Sequence, residues 1–180
     1  MSNVVYIATS IDGFIAKIDG NIDWLMQLPN PDKSDYGFSD FLKRMDGIIM
    51  GRRTFETVLG FKEWPYPKSL PLFILSNKLK HLPTELPAKA EIVNGGIKSI
   101  IAALNNRRIN NLYIDGGLTI QSFLKEDLID EMTITRVPIL LGSGIPLFDL
   151  ISSELMFEHI ETEVLNNMLV RSKYNRVREL

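Results

Sequence analysis

Gly47-Ile48-Ile49-Met50 is an apolar, β-branched run that passes directly into Gly51-Arg52-Arg53-Thr54, and the spacing beyond it predicts a helix from Thr54 to Leu59 closed by Gly60. Two further apolar runs end in a similar way. Leu72-Phe73-Ile74-Leu75 stops at Ser76-Asn77-Lys78, and Asn111-Leu112-Tyr113-Ile114 stops at Asp115-Gly116-Gly117 before a helix from about Leu118 to Lys125. Strands that alternate with helices build a mostly parallel sheet with the helices packed on it. In open sheets of this kind, ligands bind beyond the carboxyl ends of the strands.

The other elements follow from pattern. Val4 to Ala8 reads as a buried strand bounded by Ser10-Ile11-Asp12-Gly13. Asp19-Gly20-Asn21 is a turn, and Ile22 to Leu28 a short helix stopped by Pro29. Phe38, Phe41, Leu42 and Met45 share one face of a helix expected from Ser34 to Met45, with Ser34 as N-cap. Glu91 to Val93 is a short strand, Ile97 to Asn106 a helix, and Glu131 to Val137 an alternating strand. Phe157 to Val164 and Met168 to Tyr174 flank Leu165-Asn166-Asn167 as a hairpin, so the end of the sheet is antiparallel. The Pro-rich stretch from Leu82 to Pro87 reads as a loop, and residues 1–180 as one domain.

Composition removes several function classes. With no cysteine, disulfides, thiolate nucleophiles and cysteine-bound metals are excluded, and a reducing cytoplasmic setting is expected. His81 and His159 are isolated, so no metal site is expected. A formal net charge of -2 favours neither nucleic acid nor an anionic membrane. Val137 to Leu141 is far shorter than the ~20 residues that span a bilayer, and no basic segment precedes Val4 to Ala8. There is no Walker A sequence, no strand-linked Gly-x-Gly-x-x-Gly and no Gly-x-Ser-x-Gly elbow. Arg171, Lys173, Arg176 and Arg178 read as protection of a sheet edge rather than as a nucleic-acid stripe.

Two of the three strand tips lead into helix N-termini, where exposed N–H groups and the positive dipole end attract phosphate. Arg52, Arg53 and Lys78 can add charge-assisted bonds. Each cluster taken alone also reads as an ordinary turn with solvated basic residues.

In order and spacing, these motifs resemble the dihydrofolate-reductase-like superfamily over nearly the whole chain. They are closest to the C-terminal reductase domain of the bifunctional riboflavin-biosynthesis deaminase-reductases. Ala8-Thr9-Ser10-Ile11-Asp12-Gly13-Phe14-Ile15-Ala16 looks like the family's opening strand and nicotinamide loop. Met50-Gly51-Arg52-Arg53-Thr54-Phe55-Glu56 looks like its cofactor turn, and Leu75-Ser76-Asn77 like a second adenosine-side segment. Asp115-Gly116-Gly117 resembles the glycine pair that cradles the pyrophosphate. Pro138-Ile139-Leu140-Leu141-Gly142-Ser143-Gly144-Ile145-Pro146-Leu147-Phe148 is similar to the riboflavin branch rather than to folate reductases.

The resemblance implies an α/β, three-layer dihydrofolate-reductase-like fold: a mostly parallel central sheet, helices on both faces and an antiparallel C-terminal hairpin. It implies NADPH as cofactor and hydride transfer to a small heterocycle, of the 5-amino-6-(5-phosphoribosylamino)uracil reductase or dihydrofolate reductase-like type. It also implies a homodimer. The cofactor residues carried over are Ala8, Ile15, Ala16, Gly51, Arg52, Arg53, Thr54, Leu75, Ser76, Asn77, Lys78, Asp115, Gly116, Gly117, Leu118 and Thr119, with Arg52 facing the 2′-phosphate.

Two positions depart from folate reductases. Their pterin-binding carboxylate has no clean match, Asp35 and Asp40 lying out of line, and Leu118 and Ile120 stand where a basic residue and a tyrosine are common. The proton source is read as Asp12, Asp23, Asp40 or an ordered water. Against these roles, Asp12 can shape its loop and Asp23 can cap its helix. Trp24 can stack on a flat substrate or simply pack beside Leu25 and Leu28. A dimeric module that binds NADP(H) without turnover is the alternative from a different class.

Overall fold

The computed structural model describes residues 2–178. In chain order the elements are β1 (Ser2–Thr9), β2 (Phe14–Ala16), α1 (Asp23–Met26), α2 (Phe38–Leu42), β3 (Gly47–Gly51), α3 (Arg52–Leu59), β4 (Leu72–Leu75), β5 (Ala90–Val93), α4 (Ile97–Asn106), β6 (Asn111–Asp115), α5 (Gly117–Lys125), β7 (Glu131–Arg136), β8 (Ile145–Pro146), β9 (Phe157–Leu165) and β10 (Leu169–Arg176). Eight strands form one sheet in the order β5-β4-β3-β6-β1-β7-β10-β9. The first six of that order run parallel, and β10 and β9 close the edge as an antiparallel hairpin. β2 and β8 pair separately as a small antiparallel sheet.

Strand alternation divides the core. Ile48 and Met50 point to one face, where Phe41 and Leu42 of α2 and Phe55 and Val58 of α3 cover them. Ile49 and Ile114 point to the other, against Ile100 and Leu104 of α4 and Ile120, Phe123 and Leu124 of α5. Fully burying each such side chain contributes ~1.5–3 kcal/mol. The three layers therefore follow from runs apolar on both sides, as a parallel sheet covered on both faces requires.

The segment before β3 differs from the helix expected over Ser34 to Met45. Tyr36 (φ 53) and Gly37 (φ 82) are left-handed, and regular helix begins only at Phe38. Ser34 is not the cap; its hydroxyl accepts from the Tyr36 N–H at 3.0 Å. The Asp35 carboxylate instead accepts from the Gly37 and Ser39 N–H groups, both at 2.9 Å, and this local bonding outcompetes a helical turn. The expected apolar face survives, with Phe41, Leu42 and Met45 buried. At the far end, Asn166 (φ 50) and Asn167 (φ 51) form the tight turn between β9 and β10.

Candidate active site at the tips of β3 and β6

β3 and β6 lie side by side, yet the helices that leave them pack on opposite faces of the sheet. Such a divergence opens a crevice at the carboxyl edge. The two helix starts interlock across it. Thr119 Oγ1 of α5 lies 3.1 Å from where a Cβ on Gly51 would stand. Reciprocally, Thr54 of α3 fills the space a Cβ on Gly116 would need, and Gly116 is left-handed with φ +88. Glycine is required at 116 on both counts.

Neither helix has a side-chain cap bond or an acidic residue in its first turn. Their leading N–H groups are thus available to an anion, and no carboxylate opposes the dipole. Arg52 adds a guanidinium at the start of α3, paired with Glu56 at 2.7 Å. Both partners are well exposed, and such a pair stabilises by at most ~1 kcal/mol. Arg52 can therefore exchange Glu56 for a phosphate at little cost. One strand further out, Leu75 is in register with Gly51. The Ser76 hydroxyl accepts from the N–H groups of Lys78 and Leu79 at 3.1 and 3.0 Å, shaping the Ser76-Asn77-Lys78 turn beside Arg52 and Arg53.

The opposite wall comes from β2 and β8. Ile15 Cδ1 stands 2.6 Å from the position of a Cβ on Gly117, and the carbonyl of Ala16 packs against Gly144. Ala8 lies on β1, whose neighbour on one side is β6. The expected cofactor residues Ile15, Gly51, Thr54, Leu75, Asp115, Gly116, Gly117 and Thr119 thus share one edge of the sheet. The Leu118 side chain is 61% exposed.

The three carboxylates expected as proton sources have structural partners. Asp12 accepts from Ser10 Oγ at 2.6 Å and from the N–H groups of Leu141 and Gly142 at 3.2 and 2.8 Å. The Ser10 bond, then the two backbone bonds, hold its carboxyl below the usual range, so it is an ionised clasp between two loops. That clasp, with the β2–β8 pairing and the Leu147 N–H bonded to the Gly13 carbonyl at 3.0 Å, ties down the loop that follows β1. Asp23 accepts from Asn21 Nδ2 at 2.7 Å in an exposed turn. Asp40 pairs with Lys43 at 2.7 Å, both largely exposed.

Asp115 is different, and its titratable character is not visible in the pattern of a glycine turn. Tyr66, on the loop after α3, donates from its hydroxyl to Asp115 Oδ2 at 2.9 Å. The Tyr113 ring borders the same carboxyl, its hydroxyl donating to the Tyr6 carbonyl at 3.1 Å. Burial pushes the Asp115 carboxyl above its usual range, offset in part by hydrogen bonds from Tyr66 and the Gly116 N–H. Burial first, then the neighbouring Asp115 charge, keeps the Tyr66 hydroxyl protonated far beyond neutral pH. The sequence signal was a carboxylate on the last residue of a central strand, two places after a tyrosine.

Trp24 packs against Val137 and Leu169 instead of lining the crevice. A separate cavity of about 310 Å³ lies between α2 and the C-terminal hairpin, lined by Tyr6, Phe41, Arg44, Arg171 and Lys173 among others. Its cations are paired internally: Arg171 with Glu163 at 2.7 Å, and Lys173 and Arg44 with Glu131 at 3.2 and 3.4 Å. Among the described residues no cluster of metal-ligating side chains is present, and no helix is long and apolar enough to cross a membrane.

Comparison with known proteins agrees with this architecture. The chain is 38% identical to YwjB of Bacillus subtilis strain 168 over 157 residues, 84% of each protein. It superposes with a TM-score of 0.93 on a Shewanella sp. PV-4 protein named for riboflavin biosynthesis, at 51% identity, covering 99% of this chain and 100% of that one. The dihydrofolate reductase of Enterococcus faecalis, solved with NADP(H), shares the fold at a TM-score of 0.65 and 15% identity, over 97% of this chain and 96% of that one. The family model of the RibD C-terminal domain matches residues 4–170, and the chain belongs to that family.

Proposed function

We propose that this protein is an NADPH-dependent reductase that transfers hydride to a C=N or C=O bond of a small heterocycle. The observation that carries the reading is the meeting of two uncapped helix N-termini, α3 and α5, at the tips of β3 and β6. The residues present fit a phosphorylated dinucleotide. Gly51 and Gly116 let backbone approach closely, the N–H groups of Gly117, Leu118 and Thr119 would meet the pyrophosphate, and Arg52, with Arg53 or Lys78, would meet the 2′-phosphate. Ala8, Ile15 and Ala16 would flank the nicotinamide. When bound, the cofactor supplies hydride; the protein aligns donor and acceptor carbons and excludes water.

A Thermotoga maritima protein that shares the fold is named a deaminase and 5-amino-6-(5-phosphoribosylamino)uracil reductase, and this chain spans 56% of it. A substrate of that heterocyclic type is part of the reading, and dihydrofolate is the second candidate. A homodimer belongs to it as well. Exposed Leu118 on α5 and exposed Phe148, Leu150 and Ile151 lie on segments joined by the Lys125–Asp149 ion pair. Their burial in a second copy would be read by sedimentation equilibrium.

Fluorescence titration with NADPH and NADH tests the core of the reading. NADPH should bind more tightly, and Arg52→Ala should weaken NADPH far more than NADH. A preference for NADH, or binding of neither, would overturn it. NADPH binding without oxidation against pterins, aminopyrimidines and simple carbonyls would select a cofactor-binding module that does not turn over. The structural engagement of Asp12, Asp23 and Asp40 favours that second reading.

A further inference from the structure

β2 and β8 stand as a wall beside the start of α5, and side chains fasten it at two places. At β8, Gln121 of α5 donates from Nε2 to the Pro146 carbonyl at 2.8 Å. The other fastening is a relay through Ser10 and Asp12. The Ser10 hydroxyl, fully buried, accepts at 3.0 Å from the Phe14 N–H that opens β2, and donates to Asp12 Oδ1 at 2.6 Å. Asp12 in turn accepts from the N–H groups of Leu141 and Gly142 at 3.2 and 2.8 Å. Two backbone bonds run beside the relay: the Ser10 N–H to the Phe14 carbonyl at 2.9 Å, and the Ile11 N–H to the Ile139 carbonyl at 2.8 Å. Gly144 leaves no room for a side chain, since a Cβ there would meet the Ala16 carbonyl and the Phe14 side chain. The loop before β8 therefore lies directly on β2.

We propose that Asp12 is a positioning residue, whose carboxylate latches the β2–β8 wall in the place from which Ile15 and Ala16 confine the nicotinamide. The inference rests on the reductase reading above. Asp12 transfers no proton and touches no cofactor atom; it acts through Ser10 and Phe14 on one side and through the loop before β8 on the other. Its bonds favour a latch over a proton source. Both carboxylate oxygens are engaged, and the three donors that converge on them stabilise the charged form, which has no proton to give. The position also requires a group that only accepts. An asparagine would turn its NH₂ towards the Gly142 N–H or towards the Ser10 hydroxyl and the Leu141 N–H, setting donor against donor. The relay is made of protein atoms alone, so binding does not have to supply the ordering of the wall.

Titration with NADPH and with adenosine 2′,5′-bisphosphate, the part of the cofactor that lacks nicotinamide, separates the latch from a general loss of structure. Asp12→Asn should weaken NADPH by about tenfold, the effect of one or two hydrogen bonds, and leave the bisphosphate within about twofold. The fluorescence of NADPH at saturation should fall towards that of the free cofactor, as water reaches the nicotinamide. Ser10→Ala, which cuts the relay and keeps the Asp12 charge, should act in the same direction. Hydrogen exchange in ligand-free protein should be slow at Phe14, Leu141 and Gly142, and faster there in Asp12→Asn with β3 unchanged. Equal losses for the two ligands, no loss for NADPH or an unchanged fluorescence overturns the proposal and leaves the reductase reading standing. Fast exchange at Leu141 and Gly142 in the wild type does the same. A wild type that binds neither ligand overturns the reductase reading, and the latch with it. Should Asp12→Asn fail to fold, the two affinities of Ser10→Ala decide.

Discussion

Thr54, in the first turn of α3, occupies the space in which a side chain on Gly116 would begin. This contact sets how closely the two helix starts approach across the crevice. Gly116→Ala must place a Cβ against Thr54 and also hold a non-glycine residue at φ +88. The first cost is ~1–3 kcal/mol of overpacking and the second ~1–2 kcal/mol of backbone strain. Urea unfolding should show a loss of that combined size. Adding Thr54→Ala should recover the overpacking part only, because strain at φ +88 does not depend on the neighbour.

Arg171 should act as the tie between the C-terminal hairpin and the segment before α2. Its guanidinium donates to the Tyr6 hydroxyl at 2.7 Å, to the Tyr36 carbonyl, and to Glu163 at 2.9 and 2.7 Å. Arg171→Ala should cost ~1.5–3 kcal/mol, as for lost bonds to a charged group, and Arg171→Lys should recover less than half. Hydrogen exchange at Tyr36 and Gly37 should speed up before exchange in β3 does, if the hairpin clamps that segment as the geometry indicates.

Asp12 and Asp115 should leave opposite marks on stability against pH. The Asp12 pKa is lowered on folding, so its contribution is present above the unfolded value near 3.8 and is lost as pH falls through the folded one. Asp12→Asn should flatten the acid limb. The Asp115 pKa is raised on folding, so stability falls as pH rises from 3.8 through the folded value. Asp115→Asn should therefore compare better with wild type at pH ~8 than at pH ~4. Thermal melts of the three proteins across this range measure both effects, and parallel curves would contradict the two assignments.

Asn167 should tolerate glycine. It sits at φ 51 in the β9–β10 turn, and glycine is favoured at the second central position of such turns. Asn167→Gly should change stability by no more than about 0.5 kcal/mol, in the stabilising direction. Asn166→Gly should be worse, since Asn166 also donates to the Tyr36 hydroxyl at 3.0 Å.

Local chemistry was enough to read β3, β4, β6, α4 and the β9–β10 hairpin, because apolar period, glycine and asparagine act within a few residues. The order of Met50-Gly51-Arg52, Leu75-Ser76-Asn77 and Asp115-Gly116-Gly117 likewise announced the family, and the three segments do end neighbouring strands of the sheet. Folding decided what depends on partners far apart in the chain. Tyr66 meets Asp115 across 49 positions, and Asp12 meets Gly142 across 130. Arg171 reaches Tyr36 across 135. Sequence pattern assigns a carboxylate its charge but not its surroundings, and surroundings separate a half-buried Asp115, its pKa raised, from an exposed Asp40 and from an Asp12 whose pKa is lowered. Burial and hydrogen bonding are tertiary quantities, so the order of the strand tips was written in the sequence, but the partners of each carboxylate were not.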